Sequence, residues 1–161
     1  MWSVFTTWSL TMCLNEKEIL NSTLFSSTPL TKTEAKQYSP LTLAFLGDAV
    51  YSLMVRDMLT KQANKPTGKL HKESIKLVNA AFQAEMIREL LPHLTEDETA
   101  VFKRGRNAHS AHSPKNQSEA DYRYATGFEA LCGYLYLCGQ TDRLKELFSI
   151  STLKTFTEIN T

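Results

Sequence analysis

Apolar residues in this chain recur at intervals of three and four, and nowhere in the alternating rhythm of a half-buried strand. Between residues 70 and 91 they fall at Ile75, Val78, Phe82, Met86 and Leu90, which predicts a single helix that Pro92 ends. Ser39-Pro40 is a helix start, with Ser as N-cap and Pro at the first helical position, and the helix runs to about Gln62. Residues 63–68, with Pro66 and Gly68, read as loop. Thr95 and Glu98 have capping-box spacing and open a short helix through Val101 and Phe102. Residues 103–117 have almost no apolar content and read as loop. Ser118 caps another long helix, which ends near Cys138 where Gly139 stops it, and residues 142–148 form a last helix. The class is all-α, a small helical bundle over residues 31–148. Residues 1–30 are expected to be a poorly ordered extension, with Met12 as an alternative start to Met1, and residues 149–161 a polar tail.

Two of these helices carry an acid where it does not belong. Residues 41–55 read LTLAFLGDAVYSLMV, with Asp48 as the single charge, and residues 125–139 read ATGFEALCGYLYLCG, with Glu129 as the single charge. Helices apolar on nearly every side are expected to be buried. An unpaired carboxylate in such a setting costs several kcal/mol, so each acid needs a cation, a hydrogen-bond network or a raised pKa. One such acid is most simply structural, but two of them point to function. Gly47 and Gly133 lie beside the two acids, where small residues let a ligand or another backbone approach. A carboxylate pair serves either general acid–base chemistry or Mg²⁺ binding, which uses one or two carboxylates plus water and phosphate.

The surroundings decide which use applies. The stretch 103–116, KRGRNAHSAHSPKN, holds Lys103, Arg104, Arg106 and Lys115 with no acid, and its Asn107 and Asn116 add short polar side chains suited to phosphates. A second group, Lys61, Lys65, Lys69, His71 and Lys72, reads as a solvated face, from which Lys69 and Lys72 are retained as candidate contacts. His109 and His112 have no nearby Cys or acid to complete a zinc site. The whole chain of 161 residues carries a formal charge of only +1, so any attraction for an anionic polymer is local. At 42% hydrophobic and 22% charged residues the composition excludes global disorder. Cys13, Cys132 and Cys138 match no zinc or disulfide pattern and suit a reduced, cytoplasmic protein. The longest uncharged stretch, residues 1–15, is interrupted by Ser, Thr and Asn, so no membrane span is expected.

Phe45-Leu-Gly-Asp48-Ala-Val50 resembles the signature of the ribonuclease III catalytic domain, and Phe128-Glu129-Ala-Leu with Gly133 resembles that family's second catalytic segment. The HKxS, QAE, KRGRNA and PKN elements, and YRxAT before FEAL, are similar to the small bacterial Mini-ribonuclease III branch, which lacks a separate RNA-binding domain. The family's usual glutamate four residues before Asp48 is Ala44 here, and its usual aspartate three residues before Glu129 is Thr126. The resemblance implies an all-α endonuclease fold and a homodimer cutting both strands of double-stranded RNA. It also implies Mg²⁺ held by Asp48 and Glu129, and maturation of large-subunit ribosomal RNA, with a ribosomal protein that shapes the RNA as a further partner. Lys103, Arg104, Arg106, Asn107, Lys115, Asn116, Lys69 and Lys72 would grip the RNA. Two other readings stand beside it: a non-catalytic RNA-binding protein on the same fold, and a carboxylate-based glycosidase. The glycosidase lacks aromatics for a sugar cleft, because Trp2 and Trp8 both lie in the N-terminal extension.

Overall fold

The computed structural model describes residues 28–108 and 118–159. Among the described residues every regular element is helical, in the order α1 (Lys32–Gln37), α2 (Pro40–Gln62), α3 (Thr67–Val78), α4 (Ala80–Leu90), α5 (Glu96–Arg106), α6 (Glu119–Leu137) and α7 (Thr141–Ile159). Local chemistry places most of the boundaries. The hydroxyl of Thr31 accepts the Glu34 amide while the Glu34 carboxylate accepts the Thr31 amide at 2.8 Å, and Thr95 and Glu98 form the same box at α5. Ser39 caps α2 through the Thr42 amide at 3.0 Å, with Pro40 inside the first turn. Gly139 leaves α6 at φ +66°, the left-handed conformation that glycine adopts without a Cβ penalty.

Three helices differ from the expectation. The periodic stretch 70–91 is two helices, because Asn79 is extended (φ −77°, ψ 156°). Its Nδ2 donates to the Lys76 carbonyl at 2.6 Å, and its Oδ1 accepts the Phe82 amide at 3.0 Å. One side chain thus satisfies the end of α3 and the start of α4. Helix α5 continues past Phe102 to Arg106, so Lys103, Arg104 and Arg106 are its last turn rather than loop. Lys and Arg are good helix formers, and cations there complement the helix dipole. Helix α7 reaches Ile159 instead of stopping near Phe148, since no Gly or Pro interrupts it. The expected extension falls, up to residue 27, outside the described residues.

Helix α6 is the centre of the bundle, and α2, α4 and α5 pack around it. Its positions 125–128 and 130–135 are buried without interruption, while Glu129 is only half-buried. Helix α2 buries a stripe at every fourth residue, Leu43, Gly47, Tyr51, Val55 and Leu59, with Ala44 beside it. Tyr51 stands edge-on to Phe128 at 5.0 Å and donates to the Leu77 carbonyl at 2.8 Å, which satisfies its buried hydroxyl. Buried Glu98 accepts two hydrogen bonds from Arg143, at 2.9 and 3.0 Å, and so joins α5 to α7. Among the described residues no helix is long and apolar enough to cross a membrane.

Candidate active site

The helices α2 and α6 meet backbone to backbone. A Cβ on Gly47 would lie 1.7 Å from the Glu129 carbonyl oxygen, and one on Gly133 would lie 2.1 Å from the Leu43 carbonyl oxygen. Only glycine permits this approach. It brings Asp48, the residue after Gly47, beside the Glu129 side chain. What the two glycines admit is thus a neighbouring backbone.

The acids are less buried than expected. Asp48 is exposed, at the border between the buried stripe of α2 and a second apolar stripe that faces outward. Glu129 is half-buried, and desolvation, followed by the negative charge of Asp48, pushes its carboxyl up to about 7. The side-chain amide of Gln83 on α4 opposes that rise by offering a donor toward the Glu129 carboxylate. Neither acid forms an ion pair among the described residues. The expectation that both would be sunk in the core fails for Asp48 because α2 needs only one stripe against α6. The rest of its apolar surface, with Leu41, Phe45 and Leu53, stays outside, and Phe45 is 84% exposed.

The two positions without acids are packed. Ala44 is buried, and the buried Thr126 hydroxyl donates back to the Tyr122 carbonyl at 3.0 Å, so neither position offers a carboxylate. Among the described residues no group of three or more His, Cys, Asp or Glu side chains converges on a metal position. What remains is a pair of hard oxygen donors with no protein cation between them, one of them open to solvent. That donor set fits a Mg²⁺ ion, which completes its shell with water and substrate oxygens.

The basic residues separate. Lys103 is exposed on α5 with no ion pair among the described residues. Arg104 is turned onto the α1–α2 junction, where it donates to the Lys36 carbonyl at 2.8 Å and the Tyr38 carbonyl at 3.0 Å. Arg106 stacks on Tyr124 and Phe102 at 5.7 and 5.8 Å, and its Nε donates to Asn107 Oδ1 at 3.2 Å. Asn107 is the C-cap of α5. The other face of this cluster is Arg88, 4.8 Å above Tyr124 and paired with Asp121 at 2.7 Å. Lys69 and Lys72 are exposed on α3, while neighbouring Lys65 is paired with Glu73 at 2.7 Å. Lys115 and Asn116, like His109 and His112, lie outside the described residues.

The model of the Ribonuclease III domain matches residues 41–140, the span that contains both acids and the glycine contact between them. The chain belongs to the ribonuclease III family. It is accordingly an endoribonuclease, which removes the glycosidase and the non-catalytic readings. Within the family it is similar to the Mini-ribonuclease 3 of Thermoanaerobacter sp. (strain X514), at 49% identity over 122 residues, which is 76% of this chain and 86% of that protein. It is also similar to the Mini-ribonuclease 3 of Clostridium tetani (strain Massachusetts / E88), at 46% identity over 127 residues, which is 78% of this chain and 84% of that one. Among solved structures it matches protein FN1578 from Fusobacterium nucleatum with a TM-score of 0.66 and 30% identity, over 76% of this chain and 95% of that one.

Sequence reasoning missed Gln83. Its signal was present, since a polar residue occupies a buried position on the face of α4 that carries Met86, Ile87 and Leu90. The apolar spacing runs through Phe82, one position away, and so hides it.

Proposed function

We propose that this ribonuclease III family enzyme cleaves double-stranded RNA with Mg²⁺, through Asp48 and Glu129, as a cytoplasmic homodimer engaged in large-subunit ribosomal RNA maturation. The observation that carries the reading is the meeting of the two carboxylates where Gly47 and Gly133 let α2 and α6 touch. Asp48, on the solvent side, is accessible to a phosphodiester. Glu129 is more enclosed, its proton is held more tightly than in an ordinary carboxyl, and a bound cation would favour its charged form. When bound, Mg²⁺ lowers the pKa of a water and offsets charge on the scissile phosphate. Lys103 and Arg106, on the last turn of α5, are suited to steer the RNA backbone onto this site. The ribosomal substrate, and a ribosomal protein that shapes it, rest on the resemblance to Mini-ribonuclease III.

The exposed apolar stripe of α2 supports the homodimer. Leu41, Phe45 and Leu53 stand in solvent beside a groove of about 480 Å³ lined by Leu46, Val50, Met54 and Leu144. Such a surface is covered when it meets its own copy across a two-fold axis. A duplex has matching two-fold symmetry, so two sites related in this way address one strand each.

The test is cleavage of a ribosomal precursor duplex with and without Mg²⁺, by the wild-type chain and by Asp48→Asn. The variant keeps the side-chain size and removes the charge, and its rate should fall at least ~100-fold. Near-normal cleavage by Asp48→Asn would remove Asp48 from the mechanism, and cleavage without any divalent cation would remove Mg²⁺.

A further inference from the structure

Tyr124 on α6 gathers two cations. The Arg88 guanidinium of α4 lies 4.8 Å from the centre of its ring, and the Arg106 guanidinium of α5 lies 5.7 Å from it. Phe102, itself buried, meets the same ring edge-on at 5.6 Å and fixes it from the α5 side. The two guanidiniums are therefore within about 10 Å of each other, a Debye length at ~0.1 M salt. Arg88 pairs with Asp121 at 2.7 Å, while Arg106 has no carboxylate partner among the described residues.

Most of the hydrogen-bonding capacity of this pair is open. A guanidinium has five N–H donors. Among the described residues Arg88 donates to Asp121 and Arg106 Nε donates to Asn107 Oδ1 at 3.2 Å. The Arg88 side chain is 46% exposed, and Lys103, one turn before Arg106, is exposed beside them. Packing alone does not call for this arrangement. An exposed ion pair adds little stability, and two like charges at one ring repel, where Leu or Met would cover Tyr124 without that repulsion. Stacking does remove rotamer freedom that a long cationic side chain otherwise loses on binding. Asp121 and Tyr124 precede Glu129 on α6 by about 12 and 7.5 Å of helix rise, within the span of a duplex bound at the acids.

We infer that Arg88 and Arg106, both stacked on Tyr124, form a site for a backbone phosphate of the RNA, with Arg88 oriented by Asp121. Planar guanidinium forks match phosphate oxygens in pairs. The site extends the grip of the last turn of α5 onto α4 and α6. Charge patterning along the chain does not mark Arg88, which stands beside Glu85 and Glu89 in sequence. The inference rests on the reading of duplex RNA as the ligand, and its test separates the two.

The test is binding of a labelled RNA duplex to the full chain in EDTA, read by fluorescence anisotropy over a salt series, with a thermal melt of each variant. Arg88→Gln removes the charge and should weaken binding at least ~10-fold at low salt and reduce the salt slope by about 0.7–0.9, one phosphate contact. Arg88→Lys keeps the charge without the fork, and should retain the slope while recovering only part of the affinity. Asp121→Asn keeps an acceptor for Arg88 and removes the carboxylate that competes with phosphate, so binding should tighten. If the Arg88–Asp121 pair only ties α4 to α6, Arg88→Gln and Asp121→Asn lower the melting temperature alike and leave the salt slope at the wild-type value, which overturns the inference. If Arg88→Gln does not fold, Arg88→Lys and Asp121→Asn decide: full wild-type affinity in the first, or weakened binding in the second, overturns it. Wild-type binding that does not respond to salt would instead overturn the reading of a phosphate grip on duplex RNA.

Discussion

Gly47 and Glu129 are in backbone contact: a Cβ on the glycine would stand 1.7 Å from the Glu129 carbonyl oxygen. No side-chain adjustment relieves that clash, because the atom it meets is main chain. Gly47→Ala must therefore push α2 off α6 and separate Asp48 from Glu129. Overpacking of a tight core usually costs about 1–3 kcal/mol, and this substitution should lie at or beyond the upper end, with cleavage lost in parallel. Gly68 on α3 meets nothing within 4 Å, so Gly68→Ala should hold or gain up to about 1 kcal/mol. Thermal melts of both variants check the contrast; equal melting temperatures would contradict the packing.

Metal-free protein should be more stable at pH 5 than at pH 8. Burial, then the charge of Asp48, push Glu129 up to about 7 from the ordinary value of 4.5. Between those values the folded chain keeps a proton that the unfolded chain has released. This contribution is therefore full below 4.5 and is lost as the pH rises through about 7. The shift corresponds to about 3 kcal/mol at most. Melts in a chelating buffer should show a fall of this size between pH 5 and 8 that Glu129→Gln largely abolishes. A Glu129→Gln profile parallel to wild type would contradict it.

Lys103 and Arg104 are adjacent but should behave differently. Lys103→Ala should weaken RNA binding and reduce the salt slope by about 0.7–0.9 for one lost phosphate contact, leaving the fold unchanged. Arg104→Ala should lower stability by about 1–3 kcal/mol, because its guanidinium holds the Lys36 and Tyr38 carbonyls. Fluorescence anisotropy over a salt series, together with melts, separates the two effects. A destabilised Lys103→Ala or a stable Arg104→Ala would reverse the assignment.

Phe45 is 84% exposed in the single chain. If the outer stripe of α2 is the subunit interface, Phe45→Asp places two charges near the axis and should give monomers. Light scattering at micromolar concentration should then fall from near twice 18.2 kDa to 18.2 kDa. A wild-type monomer that still makes double-strand cuts would leave only sequential nicking.

What depends on short-range chemistry is legible in the chain alone. Ser39-Pro40, the Thr95 and Glu98 box, Ser118 and Gly139 are local signals, and each sits at the helix boundary it predicts. Asp48 and Glu129 stood out because one charge in an apolar stretch is visible without coordinates. The depth of the acids was not visible, because an all-round apolar helix does not declare which stripe meets its neighbour. Only the crossing of α2 and α6 decides that Leu43 and Gly47 face inward while Phe45 and Asp48 do not. Tertiary structure also decided the fate of the basic residues. Charge and spacing are the same for Lys103 and Arg104, but the carbonyls that capture Arg104 lie more than 60 residues away in the chain. Gln83 was missed for the same reason. Its acceptor, the Val78 carbonyl, is left open only where Asn79 breaks the helix, and its burial is decided only once α4 is packed on α6, which no local pattern records.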